Sequence, residues 1–395
     1  MVAAKALRQG MEVVINSGPY KGLSAKVTNA VVYPDGHPNQ RKMHVEISGV
    51  GDTLIIPKQL DLIGMAPIAK PVVTVSTERL IISKTEIESL DDPCLDRWRP
   101  TRKDVLKEYV SRELPGGIKD VNALMSYWSD ARNNGYAPNI GLVGDTQTGK
   151  TMLVEVLAYK VAEAMGLSKP LPIFLLAGSS AITDHDMFGQ YRPDDTGELV
   201  WMEGVVALAA RVGGILYLDE VNAMPGNVTA ALHPLLDDRH QFINIRKPVD
   251  DGHGGKMAEV VNASTNLWIL STYNPGYAGM SKTNEAFAAR FTWLPWDYDE
   301  EVEKKLIKSP AIRLLGQALR NARDSRAITT PVGTSALQRL EQSVALFGVD
   351  YALWGFCGQF TGKSERTVVD TLIEDRSIRV MLNTELAEKS DRKDK

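Results

Sequence analysis

The sequence predicts an α/β fold: a parallel sheet with a phosphate-binding loop at its edge and an α-helical lid after it, preceded by a small all-β barrel. Three observations carry this. The mostly apolar Ile140-Gly-Leu-Val143 runs into Gly144-Asp145-Thr146-Gln147-Thr148-Gly149-Lys150-Thr151, the glycine, lysine and threonine spacing of a phosphate loop that opens a helix. The uncharged run Gly213-Gly-Ile-Leu-Tyr-Leu ends in two carboxylates, Asp219 and Glu220. A third apolar run, Leu267-Trp-Ile-Leu-Ser-Thr-Tyr, ends in Asn274-Pro275. Apolar runs without polar alternation are what a parallel strand buried on both faces requires.

The elements follow in order. Residues 1–64 alternate apolar and polar positions in short runs (Glu12 to Ile15, Ser24 to Val32, Met43 to Ile47, Thr53 to Ile56) between turn residues such as Ser17-Gly-Pro-Tyr-Lys-Gly22 and Pro34-Asp-Gly36. That is the pattern of a small antiparallel barrel. The phrase from Glu12 to Gly22 resembles the KOW motif of ribosomal proteins and transcription elongation factors. The resemblance implies a module that binds RNA or protein, with Tyr20, Lys21, Arg41 and Lys42 as the nucleic-acid contacts; the slight basic excess of this stretch leaves protein docking equally open.

Residues 65–136 form a connector holding Pro67, Pro71, Pro93 and Pro100, then a helix over 118–134 whose apolar positions are Val121, Leu124, Met125 and Trp128. The core spans 137–297. Within it Met187 to Glu203 reads as a loop interrupting a helix, and Gln241 to Ile245 pairs with Ala258 to Asn262 across Asp250-Asp-Gly-His-Gly-Gly255 as a hairpin. The lid covers 298–362, with helices expected over Tyr298–Lys308, Ala311–Ser325, Thr334–Phe347 and Tyr351–Phe360. Residues 363–395 hold one last helix, Arg366 to Glu388, and a mixed-charge tail.

Composition sets bounds. With 45 Lys plus Arg against 49 Asp plus Glu, the net charge of −4 offers no general attraction to nucleic acid or anionic lipid. The two cysteines, Cys94 and Cys357, lie far apart in sequence, so neither a disulfide framework nor a zinc site is indicated. The six histidines show no paired ligand spacing. No apolar run reaches the ~20 residues of a membrane span, and the expected location is the cytoplasm.

The three strand ends supply one chemistry. Gly144 and Gly149 let the backbone curl so that loop N–H groups face phosphate oxygens, and the helix that follows presents its positive N-terminus. Lys150 is placed for the β and γ phosphates, and the Thr151 hydroxyl and Asp219 for a magnesium ion. Glu220 is placed to polarise an attacking water, and Asn274 to hydrogen-bond that water or the γ-phosphate. The predicted ligands are ATP and Mg2+.

From Asn139 to Leu340 the chain resembles the MoxR-type AAA+ ATPases, in the CbbQ, NirQ and GvpN branches. The matching stretches are the phosphate loop, Asp219-Glu220, Asp186-Met-Phe-Gly189, Gly197 to Gly204, Leu232 to Arg239 and the Tyr-Asn-Pro strand end. The resemblance implies that Asn274 is the sensor-1 residue and that Arg290, after the run from Asn284, is an arginine finger acting on the neighbouring subunit, with Arg239 a second candidate. It implies a homo-oligomeric ring, usually a hexamer, that remodels a protein client through pore-facing insertions, often with a partner carrying a von Willebrand A domain. A nucleic-acid motor or McrB-like GTPase subunit, and a nucleotide-gated scaffold without catalysis, are the alternatives. A barrel joined to such a core also suits a phage-encoded factor. The chain departs from the family at the lid: Ile328 to Ala336 lacks the usual sensor-2 arginine, and Arg313, Arg323 and Arg326 are the nearby substitutes.

Overall fold

The computed structural model describes strands within residues 12–62 and then residues 89–136, 138–238, 241–275 and 285–393. The chain divides into two compact units, residues 1–72 and 73–395. In the first, β1 (Glu12–Ile15), β2 (Ser24–Val32), β3 (Lys42–Ile47), β4 (Gly51–Ile55) and β5 (Leu60–Leu62) form an antiparallel sheet in the order β4-β3-β2-β1-β5. The strand β5 was not foreseen. Tyr20, Lys21 and Arg41, three of the four predicted nucleic-acid contacts, lie outside the described residues, as do Arg239 and Asn284.

The second unit opens with α1 (Val105–Glu108), the short ribbon β6 (Glu113–Leu114) and β7 (Ile118–Lys119), and α2 (Asp120–Asn134). The core follows: β8 (Ile140–Val143), α3 (Lys150–Met165), β9 (Ile173–Ala177), α4 (Asp184–Phe188), β10 (Gly189–Pro193), β11 (Leu199–Glu203), α5 (Val205–Val212), β12 (Gly214–Asp219), α6 (Gly226–Ala231), β13 (Phe242–Asp250), β14 (Lys256–Asn262), β15 (Leu267–Tyr273), α7 (Glu285–Ala288) and β16 (Thr292–Pro295).

Five of these strands make a parallel sheet in the order β16-β8-β15-β12-β9. Alternate residues of each strand feed opposite faces, as the pleat demands. Leu216 and Leu218 of β12 and Ile269 of β15 join one apolar cluster with α5, while Ile215, Tyr217, Trp268 and Leu270 join the other with α2 and α3. Burial on both faces explains why these strands read as continuous apolar runs. It also leaves the strand ends as the place where polar side chains can stand.

Two predictions in the core need correcting. Met187 to Glu203 is not a plain loop: β10 and β11 pair from Gly189↔Glu203 to Pro193↔Leu199. The Asp194 carboxylate closes the turn, accepting from the Thr196 and Glu198 amides at 2.8 and 3.1 Å. In the run from Asn284 to Arg290 the helix is a single turn, Glu285–Ala288, and Arg290 stands beyond its end. The second hairpin is longer than predicted, β13 and β14 pairing from Phe242↔Asn262 to Asp250↔Lys256.

The lid holds α8 (Glu300–Leu306), α9 (Pro310–Asp324), α10 (Thr334–Phe347), α11 (Val349–Cys357), α12 (Lys363–Ile373) and α13 (Arg376–Lys393). Pro310 stands at the first position of α9, where its missing N–H costs nothing, and Ser309 caps that helix by accepting from the Ile312 amide at 3.1 Å. The predicted last helix is two helices, parted at Glu374 and Asp375. One apolar cluster runs through Leu315, Leu337, Phe360, Val369, Ile378 and Leu382, so α12 and α13 share a core with the lid helices before them.

Candidate nucleotide site

The phosphate loop leaves β8 at Gly144, whose amide donates to the Tyr273 carbonyl at 3.0 Å. A Cβ at Gly144 would lie 2.0 Å from the Trp296 carbonyl oxygen, so only glycine fits between β15 and the end of β16. Gly149 reaches a φ of 88° before α3 begins, and Gln147 also sits in the left-handed region at 60°. Lys150 is 7% exposed and folds back into its own loop, donating to the Gly144 carbonyl at 2.8 Å and the Asp145 carbonyl at 2.5 Å. Burial pulls its ammonium down to about 8, and the negative charges of Asp219, Asp145 and Glu220 oppose that.

Strand register brings the other groups to the same edge. Leu218 pairs with Ser271, which sets Asp219 beside Thr272. The Thr272 hydroxyl donates to Asp219 Oδ1 at 2.5 Å and accepts from the Glu220 amide at 2.9 Å. Tyr217 OH also donates to Asp219 Oδ1, at 2.9 Å, and shares a 3.3 Å hydrogen bond with Thr151 Oγ1. Burial and the Asp219 charge push the Tyr217 phenol well above its ordinary value, so it stays a hydrogen-bond donor. Glu220 itself is left-handed, φ 49° and ψ 51°, an unusual conformation for a residue with a Cβ. Its main chain is pinned by Thr272 and by the close approach of Gly178, whose amide donates to the Asp219 carbonyl at 2.7 Å.

Asn274 Nδ2 donates to Glu220 Oε1 at 2.8 Å, and Asn222 braces Asn274 by donating to its carbonyl at 3.0 Å. Loop, Asp219, Glu220 and Asn274 therefore share one edge, with Thr151 joined to the carboxylates through Tyr217. Arg290 is apart from them. It precedes β16, whose Thr292 pairs with Ile140 at the far end of β8, while Pro295 pairs with Val143 beside the loop. The two ends are three residue steps apart, on the order of 10 Å. Arg290 Nη1 donates to the Ala286 carbonyl at 2.5 Å.

The lid approaches the loop from the other side. Arg323 makes an ion pair with Asp145. Tyr298 OH donates to the Thr146 carbonyl at 3.1 Å, and the Arg320 guanidinium lies 3.7 Å over the Tyr298 ring. Gly333 packs against the Gln147 side chain. A cleft of about 720 Å³ between the two sides is lined by Asp145, Thr146, Pro275, Arg323, Arg326 and Thr330 among others. Of the three arginines proposed for the missing lid position, Arg323 meets the loop and Arg326 lines this cleft. Arg313 donates instead to the Ile307 carbonyl.

Sequence reasoning passed over Tyr217, Thr272, Asn222, Tyr298 and Arg112. The first two carried a readable signal: each stands two residues before a predicted site residue, and the pleat turns alternate side chains to the same face.

Residues 139–291 match the AAA domain family, dynein-related subfamily. The chain is 33% identical over 168 residues to protein CbbQ of Hydrogenophilus thermoluteolus, which covers 42% of this chain and 56% of that protein. It is 32% identical over 160 residues to protein NorQ of Paracoccus denitrificans, covering 40% and 52%. To the denitrification regulatory protein NirQ of Pseudomonas aeruginosa it is 30% identical over 190 residues, covering 45% and 66%. The chain thus spans little more than half the length of the first two relatives. Among the described residues, no helix is long and apolar enough to cross a membrane. With a phosphate loop, a carboxylate-ended strand and an asparagine-ended strand at one parallel sheet edge, residues 139–291 form an AAA+ core that matches the dynein-related subfamily, and over this stretch the chain is similar to CbbQ, NorQ and NirQ.

Proposed function

We propose that this chain hydrolyses ATP and, assembled as a homo-oligomeric ring, uses the hydrolysis to remodel a protein client. One observation carries the reading: a continuous hydrogen-bonded path runs from Thr151 through Tyr217, Asp219 and Thr272 to Glu220 and Asn274. Groups suited to phosphate, to a metal ion and to water thereby meet beside one loop.

In this reading the Lys150 ammonium leaves the Gly144 and Asp145 carbonyls for the β and γ phosphate oxygens. Glu220, aimed by the Asn274 amide, accepts a proton as water oxygen bonds to the γ-phosphorus and the bond to the bridging oxygen breaks. The Thr151 hydroxyl and the Asp219 carboxylate are hard oxygen donors, which fits Mg2+, and both would hold it. When bound, that ion supplies neutralising charge on the phosphates. Arg323 takes the part of the missing lid arginine. Arg290, at the opposite end of β16 from its own loop, acts on the nucleotide of the next subunit.

Two hairpins support a protein client. Leu199 and Met202 on β11 and Met257 and Val260 on β14 are all more than half exposed, apolar surface of the kind that contacts polypeptide. The test is Glu220→Gln in the full chain. It should bind ATP, hydrolyse it on the order of 10²- to 10⁴-fold more slowly, and hold ring and client together in affinity capture. Equal hydrolysis by Glu220→Gln and the unmodified chain would overturn the proposal.

A further inference from the structure

Four carbonyls of the phosphate loop accept hydrogen bonds from side chains. Lys150, a member of the loop, holds those of Gly144 and Asp145, and the lid's Tyr298 holds that of Thr146. The fourth, on Thr148, accepts from Arg112 Nη2 at 2.8 Å. Arg112 precedes β6 and lies before the residues that match the AAA domain. It is 8% exposed, its Nη1 donates to the Asp297 carbonyl at 2.8 Å, and its guanidinium lies 4.2 Å from the centre of the buried Trp296 ring. Its own amide donates at 3.0 Å to Asp120, a fully buried carboxylate that also accepts from Tyr109 OH at 2.5 Å, from the Ser111 hydroxyl and from the Val121 amide at 2.7 Å. A buried arginine that spends both arms on main-chain carbonyls of separate elements is a brace with a fixed direction.

The direction has a chemical consequence. In a trans peptide the C=O and the following N–H point opposite ways, so holding the Thr148 carbonyl toward Arg112 turns the Gly149 N–H to the other side of the peptide plane. Gly149 is left-handed and without a Cβ, so its own side chain adds no steric restraint on that plane. The geometry points to Arg112 as a positioning residue for the phosphate loop, holding the Thr148–Gly149 peptide with its N–H toward bound phosphate. The inference rests on the ATPase reading and adds to it a residue outside the matched domain. The brace acts on phosphate and not on the base, and it sets affinity for any ligand carrying a β-phosphate.

The experiment uses the full chain with Arg112→Lys and Arg112→Met. Lysine keeps the charge but cannot fork between two carbonyls and the Trp296 face. Affinity for ATP, ADP and inorganic triphosphate is measured beside kcat at saturating ATP and the thermal midpoint. Both variants should weaken all three ligands together, on the order of tenfold for lysine and up to a hundredfold for methionine, with kcat changing far less. A drop for ATP with triphosphate unaffected would assign Arg112 to the base and overturn the inference. Unchanged affinities with a lowered midpoint would overturn it too, leaving a structural arginine; so would failure of both variants to fold. If the unmodified chain binds neither nucleotide nor triphosphate, the nucleotide-site reading falls first.

Discussion

The phosphate loop is held from two sides by different chemistry. On the sheet side, Asp219, Glu220 and Asn274 are placed by strand register and by hydrogen bonds from the uncharged side chains of Thr272, Tyr217 and Asn222. On the lid side the contacts are an ion pair, a guanidinium over a ring and one tyrosine hydroxyl, Arg323 to Asp145, Arg320 to Tyr298, and Tyr298 to Thr146. Register cannot change without breaking the sheet, whereas charged side chains exchange partners at little cost. The sheet side is therefore suited to fixed catalytic geometry and the lid side to switching.

Arg290 belongs to neither side of its own loop, so the largest effect comes from breaking this division at a third place. Arg290→Ala should keep ATP binding and lose turnover by on the order of 10³-fold or more. Mixing it with Lys150→Ala subunits should restore some activity, because some interfaces then pair an intact loop with an intact finger. Mixed rings that stay inactive at every ratio would remove the in-trans role.

The next effect is a pH dependence set on the loop itself. In the ligand-free chain burial lowers Lys150 to about 8, while phosphate oxygens would raise it again in the complex. Binding near and above pH 8 should then take up a proton, and affinity should fall as pH rises through 8, toward a limit of about tenfold per pH unit. Calorimetry in buffers of different ionisation enthalpy reads the proton directly. A binding enthalpy independent of buffer at pH 8.5 would contradict the folded-back lysine.

The two sides also differ in how well the sequence announced them. The loop, β12 and β15 were legible because each is a contiguous run whose last residue carries the chemistry. The 69 residues from Lys150 to Asp219 leave room for a helix, a strand and one more helix, and β9 is that strand. The strand β16 was missed: it has four residues, ends in Pro295 and borders a stretch without apolar continuity. The hairpin of β10 and β11 went unread although Asp194 to Gly197 is turn chemistry, because Gly189-Gln-Tyr-Arg-Pro193 shows little apolar alternation. Arg112 and Tyr298 were beyond reach for another reason, and for the same reason Arg323 could be named only as one of three candidate arginines. They meet the loop across 36, 152 and 178 residues of chain, and spacing carries no information at that range.

A smaller effect sharpens the lid side. Arg323→Ala should lower kcat on the order of tenfold, and Asp145→Asn by less, since the asparagine keeps the loop's shape. If the two act as one contact, the double variant should be no worse than Arg323→Ala alone. Additive losses would mean that Arg323 and Asp145 serve the reaction separately, and would remove Arg323 as the lid arginine.

The smallest expected effect is at Gly333, which precedes α10 and faces the loop without charge. Its φ is −83°, which any residue adopts, so alanine there should gain a few tenths to 1 kcal/mol from the unfolded state. Against this, the new Cβ would lie 2.5 Å from Gln147 Cβ and 2.6 Å from Gln147 Oε1. Gln147 cannot give way freely, because its own φ of 60° is already unfavourable. The lid must instead back off from the loop as a body. Gly333→Ala should leave the thermal midpoint almost unchanged and ADP affinity intact, while kcat falls a few-fold, about 1 kcal/mol of lost closure. A kcat equal to that of the unmodified chain would mean that the lid turns over nucleotide without seating on Gln147, and that Arg323 and Tyr298 alone couple the two sides.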